Sequence, residues 1–327
     1  MKIGFFTDTH IRADTPEGRT DDYRKAIFTK LEEIGSIFQD TEYVLFGGDL
    51  FNTPDPSNSI INDTIQMFKS WKKEIIGVVG SHDYFGYQMK SLKRTGIGIL
   101  YRAGVISLVG KEEELTPRVD IHHRGGIGYP IVAVTGNSHS YWLADDPKNF
   151  FGDSEGGFHI QLVHGDLVDK PVLWPHVTVD QVTTEADVVL SGHYHPGWSK
   201  PITLGGTTFI NPGSIGRLEN TGRQRIPRVC IIDVNYGEDV NVNTFTSKFV
   251  ELTTAEKHPF KEKVAKEEVQ QDITKLLSLM ENTEIDVIDI KQQLPLAAER
   301  LGFSKDVVEK AFDILERVIS KNKIKGE

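Results

Sequence analysis

Asp8 and His10 stand two residues apart where the apolar run Ile3-Gly4-Phe5-Phe6 stops. The same arrangement returns four more times. Asp49 follows Tyr43–Phe46 and a Gly-Gly pair, His82 and Asp83 follow Ile75–Val79, His164 follows Phe158–Val163, and His193 and His195 follow Ala186–Leu190. Five of the eleven histidines fall at these strand ends, which scattered placement would rarely produce. Carboxylates and imidazoles gathered at one edge are ligands for divalent metal. Mixed oxygen and nitrogen donors suit Mn, Fe or Zn better than Ca, and the lack of a cysteine cluster speaks against a structural zinc site. Seven ligands for two ions require one shared group, and a carboxylate is the natural bridge. Two ions about 3.5–4 Å apart activate water and clamp an in-line attack on phosphorus.

A short apolar run ended by turn chemistry is an interior strand of an α/β sheet, where ligands sit beyond the carboxyl ends of the strands. Strands Ile3–Phe6, Tyr43–Phe46 and Ile75–Val79 alternate with helices expected over Asp21–Phe38 and Pro56–Trp71. That βαβαβ order implies parallel pairing. The spacing predicts another helix or helical turn over Gln88–Tyr101. It predicts further strands at Val105–Leu108, Ile131–Val134, Phe158–Val163, Ala186–Leu190, Thr207–Asn211, Val229–Val234 and Val240–Phe245. From about Thr254 strand signals vanish, so a domain of residues 1–250 is followed by a helical region, 251–327. In that region Ser304 reads as an N-cap before an apolar stripe running from Val308 to Ile319.

The chain has 327 residues, 38% hydrophobic and 26% charged, enough for one large domain with an appendage or for two domains. No apolar run is long enough to span a membrane, and no secretory signal opens the sequence. The single cysteine, Cys230, lies in an apolar strand, so a reducing, cytoplasmic location is expected, in a bacterial or phage-infected cell. A net charge of −10 counts against a simple nucleic-acid binder. His122 and His123 end a strand-like run and read as surface or turn residues, and His139 and Tyr141 lie in a polar loop that could line a cleft.

As a five-part set, D-x-H, G-D, G-x-H-D, H-G and G-H-x-H resembles the calcineurin-like metallophosphoesterases in order and spacing over roughly residues 1–245. Gly48-Asp49-Leu50-Phe51-Asn52 with Pro56-Ser57, Gly104–Leu108, and Asn211-Pro212-Gly213-Ser214 with Arg217-Leu218 are similar to the SbcD-type double-strand-break repair nucleases. The resemblance implies an α/β fold, a metallophosphoesterase β-sandwich flanked by helices. It implies a two-metal DNA exonuclease and endonuclease of repair, recombination or replication, with Mn²⁺ favoured and Mg²⁺ as the alternative. Asp8, His10, bridging Asp49 and His195 would hold one metal; Asp49, His164, His193 and Ser81 would hold the other. His82 would meet the scissile phosphate, and Asp83 would orient its imidazole. Ser81 departs from the family's usual asparagine and offers a shorter, weaker donor. Lys90, Lys93, Arg94 and Arg124 are placed to touch DNA phosphates. The resemblance also implies a homodimer through Ser57–Trp71 and Gln88–Tyr101, and docking of the C-terminal helices on an SbcC-like coiled-coil ATPase. Two competing readings are a phosphodiesterase or phosphatase for small molecules or phosphoproteins, and a non-catalytic scaffold, which only Ser81 supports.

Overall fold

The computed structural model describes residues 1–113, 115–122, 131–140, 146–150, 157–218, 225–236, 243–255 and 259–260. The elements are β1 (Lys2–Phe6), α1 (Tyr23–Ile37), β2 (Tyr43–Phe46), α2 (Asn58–Trp71), β3 (Glu74–Gly77), α3 (Gly96–Arg102), β4 (Ser107–Leu108), β5 (Arg118–His122), β6 (Ile131–Asn137), β7 (Phe158–Gly165), β8 (Leu167–Val168), β9 (Val177–Thr178), β10 (Val188–His193), β11 (Ile202–Leu204), β12 (Thr207–Ile210), β13 (Arg228–Tyr236) and β14 (Asn243–Glu251). Among the described residues they build two six-stranded sheets, ordered β14-β13-β1-β2-β3-β4 and β11-β12-β10-β7-β6-β5, and a short β8-β9 ribbon. Strands β1 to β4 pair in parallel, as do β6, β7, β10 and β12. Antiparallel strands flank each parallel core.

Side chains of a strand alternate between its faces, and both faces of these strands are covered. Ile3 and Phe5 of β1, Leu45 of β2 and Ile76 of β3 pack against Val132, Ile160, Leu162, Val188 and Leu190 of the other sheet. Phe6, Val44, Phe46 and Ile75 face the opposite way, onto α1 and α2. Gly4 also points there, where a β-carbon would come within 2.6 Å of the Phe38 ring. This is the expected β-sandwich flanked by helices. Asp22 caps α1 by accepting from the Lys25 amide, and Ser57 caps α2 by accepting from Ile60. Phe68 and Trp71 stack with Phe6 in the core beneath α2, so these two side chains are committed within the chain rather than offered to a second copy.

Two of the expected elements are refined. The helix or helical turn expected over Gln88–Tyr101 comes in two pieces: a 3₁₀ turn, Met89–Arg94, gives way at extended Thr95, whose hydroxyl caps α3. The strand expected at Val240–Phe245 runs instead over Asn243–Glu251, paired along its full length with β13. The sheet-bearing unit comprises residues 1–171 and 175–261. Residues beyond β14 stay attached because the Glu33 carboxylate accepts from the amides and hydroxyls of Thr253 and Thr254. Further on, the Thr20 amide donates to the Pro259 carbonyl, and Arg19 lies over the Phe260 ring. Residues 172–174 and 262–327 form a second unit. The expected C-terminal helices, Ser304 and the stripe to Ile319 lie outside the described residues, as do Arg124, His123, Tyr141 and His258. Among the described residues no helix is long and apolar enough to cross a membrane.

Candidate metal centre

The parallel strands end on one side, and the loops that follow carry the expected residues. The loops after β1 and β2 run together, Asp8 and His10 donating their amides to the carbonyls of Gly48 and Asp49. Five described non-glycine residues sit at positive φ, and four of them are Asp8 (53°), His10 (45°), Asp49 (55°) and His193 (78°). Such conformations cost about 1–3 kcal/mol each and gather where function over-determines the backbone. Glycine opens the remaining space. At Gly48 (φ 94°) a β-carbon would come within 2.4 Å of His164 Nδ1, and at Gly80 within 2.2 Å of Asp49 Oδ1.

Asp8, His10, Asp49 and His195 form one group whose ligand atoms lie within 4.8 Å of one another, and Asp49, His164 and His193 form a second. Asp49 belongs to both. Its carboxylate accepts from the His82 amide at 2.8 Å and the Ser81 hydroxyl at 3.2 Å. His10 Nε2 faces His195 Nε2 at 2.9 Å, and His164 Nε2 faces His193 Nδ1 at 3.2 Å. Nitrogen lone pairs do not face each other at these distances without a proton or a cation between them. The residues present therefore fit a pair of divalent ions. The metal-free electrostatics point the same way. Burial would lower the His164 pKa, but the Asp49 carboxylate 3.3 Å away outweighs it and raises the imidazole to about 9. Burial would raise Asp49, and the same pairing holds it well below the usual carboxylate range. Burial lowers both His10 and His195.

Asp83 does not orient His82. The His82 Nδ1 lies 2.8 Å from the backbone carbonyl of Asn52. Fully buried, the Asp83 carboxylate turns back instead and accepts from the amides of Asp49 and Gly80, both at 2.9 Å, and Leu50 at 3.0 Å. The turn from β3 sends adjacent side chains in different directions, and the bared amides after β2 claim the carboxylate. Burial, and then the charge of Asp49, push Asp83 up to about 7, against the pull of those amides. The His82 ring stands edge-on to His10, centroids 4.8 Å apart, on the exposed side of the cluster.

Two residues join the site that its strand-end pattern did not single out. His139, just past β6, packs 5.2 Å from the His193 ring, and burial and the neighbouring imidazoles drive its pKa to about 3. Asp166 lies 3.3 Å from His193 Nε2. Both could have been found: His139 ends a strand like the other ligands, and Asp166 follows His164 directly in H-G-D. Exposed Lys90, Lys93 and Arg94 lie on the 3₁₀ turn beyond Asp83, with Arg94 over the Phe85 ring. Lys90 and Lys93 line a cavity of about 370 Å³ with Tyr101 and Arg102. His122 is exposed at the end of β5, and His159 is buried with Nε2 2.8 Å from the Thr135 hydroxyl, so neither enters the site.

The chain is 25% identical over 261 residues to the double-strand break repair protein MRE11 of Encephalitozoon cuniculi (strain GB-M1). That alignment covers 66% of this chain and 42% of the relative, so the chain spans less than half of that protein's length. Among solved structures it is similar to the sulfate thiohydrolase SoxB of Thermus thermophilus in complex with glycerol, at 13% identity and a TM-score of 0.47, covering 88% of this chain and 62% of that one. It is also similar to a 5′-nucleotidase precursor from Thermus thermophilus, at 10% identity and a TM-score of 0.44, covering 86% and 59%. The calcineurin-like phosphoesterase family matches residues 1–197. Both ligand groups, from Asp8 to His195, lie inside that stretch, and the chain is a member of the calcineurin-like phosphoesterase family.

Proposed function

We propose that the protein is a divalent-metal-dependent DNA nuclease that hydrolyses phosphodiesters with water as the nucleophile. The observation that carries the reading is the pair of ligand groups joined through Asp49. The named relative, a double-strand break repair protein, supports DNA over other phosphoesters. Two ions bound there supply charge neutralisation for the phosphate and a lowered pKa for water. The chain's own residues do the rest. His82 Nδ1–H donates to the Asn52 carbonyl, so in its doubly protonated form the exposed imidazolium would give its Nε2 proton to the leaving oxygen and keep the Nδ1 proton on the carbonyl. Asp83 holds the Asp49 turn, and with it the shared carboxylate. Nitrogen and oxygen donors together favour Mn²⁺ over Mg²⁺. Exposed on the 3₁₀ turn Met89–Arg94, Lys90, Lys93 and Arg94 contribute phosphate contacts, a local positive charge against the net charge of −10. Docking on an SbcC-like ATPase and self-association belong to the same proposal.

The test is end-labelled duplex DNA incubated in Mn²⁺, in Mg²⁺ and in EDTA, with Asp49→Ala alongside. Mn²⁺-dependent degradation that is lost in EDTA and in the variant is the expected result. A protein that hydrolyses a chromogenic phosphodiester and leaves DNA intact, with and without the ATPase, refutes the nuclease reading while keeping the hydrolase.

A further inference from the structure

Both positions share Asp49, but they are not equally furnished. Among the described residues the first adds Asp8, His10 and His195, and the second adds His164 and His193. The Ser81 hydroxyl 3.2 Å from Asp49 Oδ2 donates to that carboxylate, so its one proton is engaged there. A compensating group is present on the other side of His193. Its Nε2 lies 3.3 Å from Asp166 Oδ2, while its Nδ1 faces His164 Nε2. A neutral imidazole carries one proton, and the carboxylate draws it to Nε2, leaving the Nδ1 lone pair turned inward. His164 is fixed in the complementary way, since its Nδ1 lies 2.7 Å from the Gly47 carbonyl and donates to it. His10 shows no such partner: its buried Nδ1 has no hydrogen bond among the described residues.

Asp166 is itself held. It stands between β7 and β8, and its backbone carbonyl accepts from the Val177 amide at 2.9 Å. Strand β8 then pairs in parallel with β9, Leu167 beside Val177. The small ribbon thus sets the carboxylate behind His193. Main-chain bonds tie the other side: the His193 amide lies 3.1 Å from each Asp8 oxygen.

We propose that Asp166 is a positioning residue that presents His193 Nδ1 to the second metal position and offsets the weak donor at Ser81. Resting on the dinuclear reading above, the inference adds a residue outside both ligand groups. Outer carboxylates on metal-binding histidines fix the tautomer and raise the basicity of the ligand, and removing one typically lowers metal affinity about 10–100-fold.

Two measurements test it, with Asp166→Asn as the variant. Nitrogen-15 spectra of the histidine rings in metal-free protein at alkaline pH, where His164 is neutral and does not itself donate to His193 Nδ1, should show His193 protonated on Nε2 in the wild type and mixed tautomers in the variant. Calorimetric titration with Mn²⁺ should show two ions in the wild type. In the variant the first affinity is unchanged and the second falls about 10–100-fold. The first site reports that the variant is folded. Adding Ser81→Asn to Asp166→Asn should restore much of the loss by supplying an amide oxygen. An Asp166→Asn protein with the wild-type tautomer and both wild-type affinities overturns the proposal. A wild-type protein that takes up only one ion overturns the dinuclear reading, and the proposal falls with it.

Discussion

Asp83 offers the sharpest contrast between two roles, because replacing it should damage the fold if it holds the Asp49 turn and only the chemistry if it serves His82. Asp83→Asn keeps the volume but exchanges one acceptor oxygen for an amide that donates. If the nitrogen takes the place of Oδ2, the Asp49 and Gly80 amides, both at 2.9 Å, lose their acceptor. If it takes the place of Oδ1, Leu50 at 3.0 Å and Phe51 at 3.4 Å lose theirs. With the carboxylate ionised, above the pKa of about 7 to which burial raises it, two buried donors are stranded either way, at about 1–3 kcal/mol apiece, or about 2–6 kcal/mol together. That is a large share of the roughly 5–15 kcal/mol that holds a typical domain folded. At about 2–4 °C per kcal/mol for a unit of this size, the melting temperature of the metal-free protein should fall by about 4–24 °C. Metal uptake should fall with it, since Asp49 loses its support. Scanning calorimetry on the metal-free variant, followed by metal analysis after dialysis, reads both effects. A variant that melts within about 2 °C of the wild type, keeps both ions and loses only turnover would refute this reasoning and return Asp83 to His82.

Other perturbations separate structure from chemistry in the same way. Gly80→Ala places a β-carbon 2.2 Å from the Asp49 amide and carboxylate, so metal analysis should find both ions lost, with about 1–3 kcal/mol of overpacking in the melt. Retention of both ions would show that the turn yields. His82→Gln should lower kcat on DNA about 10²–10⁴-fold with metal affinity unchanged, and much less on a nitrophenyl diester whose leaving group needs no proton. Equal losses on both substrates would exclude His82 as the acid. Burial alone would raise Glu33, but hydrogen bonds from Thr254 and Thr253 outweigh it and hold its carboxyl below the ordinary range. A depressed carboxylate adds stability that is present above its unfolded pKa and is lost as pH falls through the folded one. Glu33→Gln should therefore destabilise by at most about 1 kcal/mol near pH 7, given its exposure, and the difference should fade below about pH 4 in urea titrations. A difference constant with pH would mean that the carboxylate charge is not what pins residues 253–254.

Much of the fold could be read because its central strands are covered on both faces and so stand out as apolar runs. That same continuity conceals how the runs divide. Phe5 and Phe6 are adjacent and chemically alike, yet one packs between the sheets and the other beneath the helices. Only the three-dimensional pairing says which. The attachment of residues 253–260 was hidden for a different reason. It depends on Glu33, Thr20 and Arg19, more than two hundred residues earlier, while the local composition changes near Thr254.

The site divides along a similar line. Ligand types at strand ends were visible because metal chemistry restricts them to carboxylates and imidazoles. What aims them is largely backbone, and carbonyls have no letter in a sequence. Gly47 fixes the His164 tautomer and Asn52 fixes the His82 ring, each through a main-chain oxygen. Adjacency misleads at Asp83 for the same reason, since the nearest unmet donors belong to the amides after β2. The strain shows what these supports must hold. Four left-handed residues at about 1–3 kcal/mol each come to roughly 4–12 kcal/mol, on the scale of a domain's whole net stability. Asp and His tolerate the left-handed region better than most residues, and Lys72 at the end of α2 shows that an ordinary helix end can hold a non-glycine there too. What sets Asp8, His10, Asp49 and His193 apart is that all four carry ligand atoms of the two groups joined at Asp49. It is this concentration of left-handed ligand residues at one sheet edge, rather than the strain at any one of them, that the proposed pair of ions would explain.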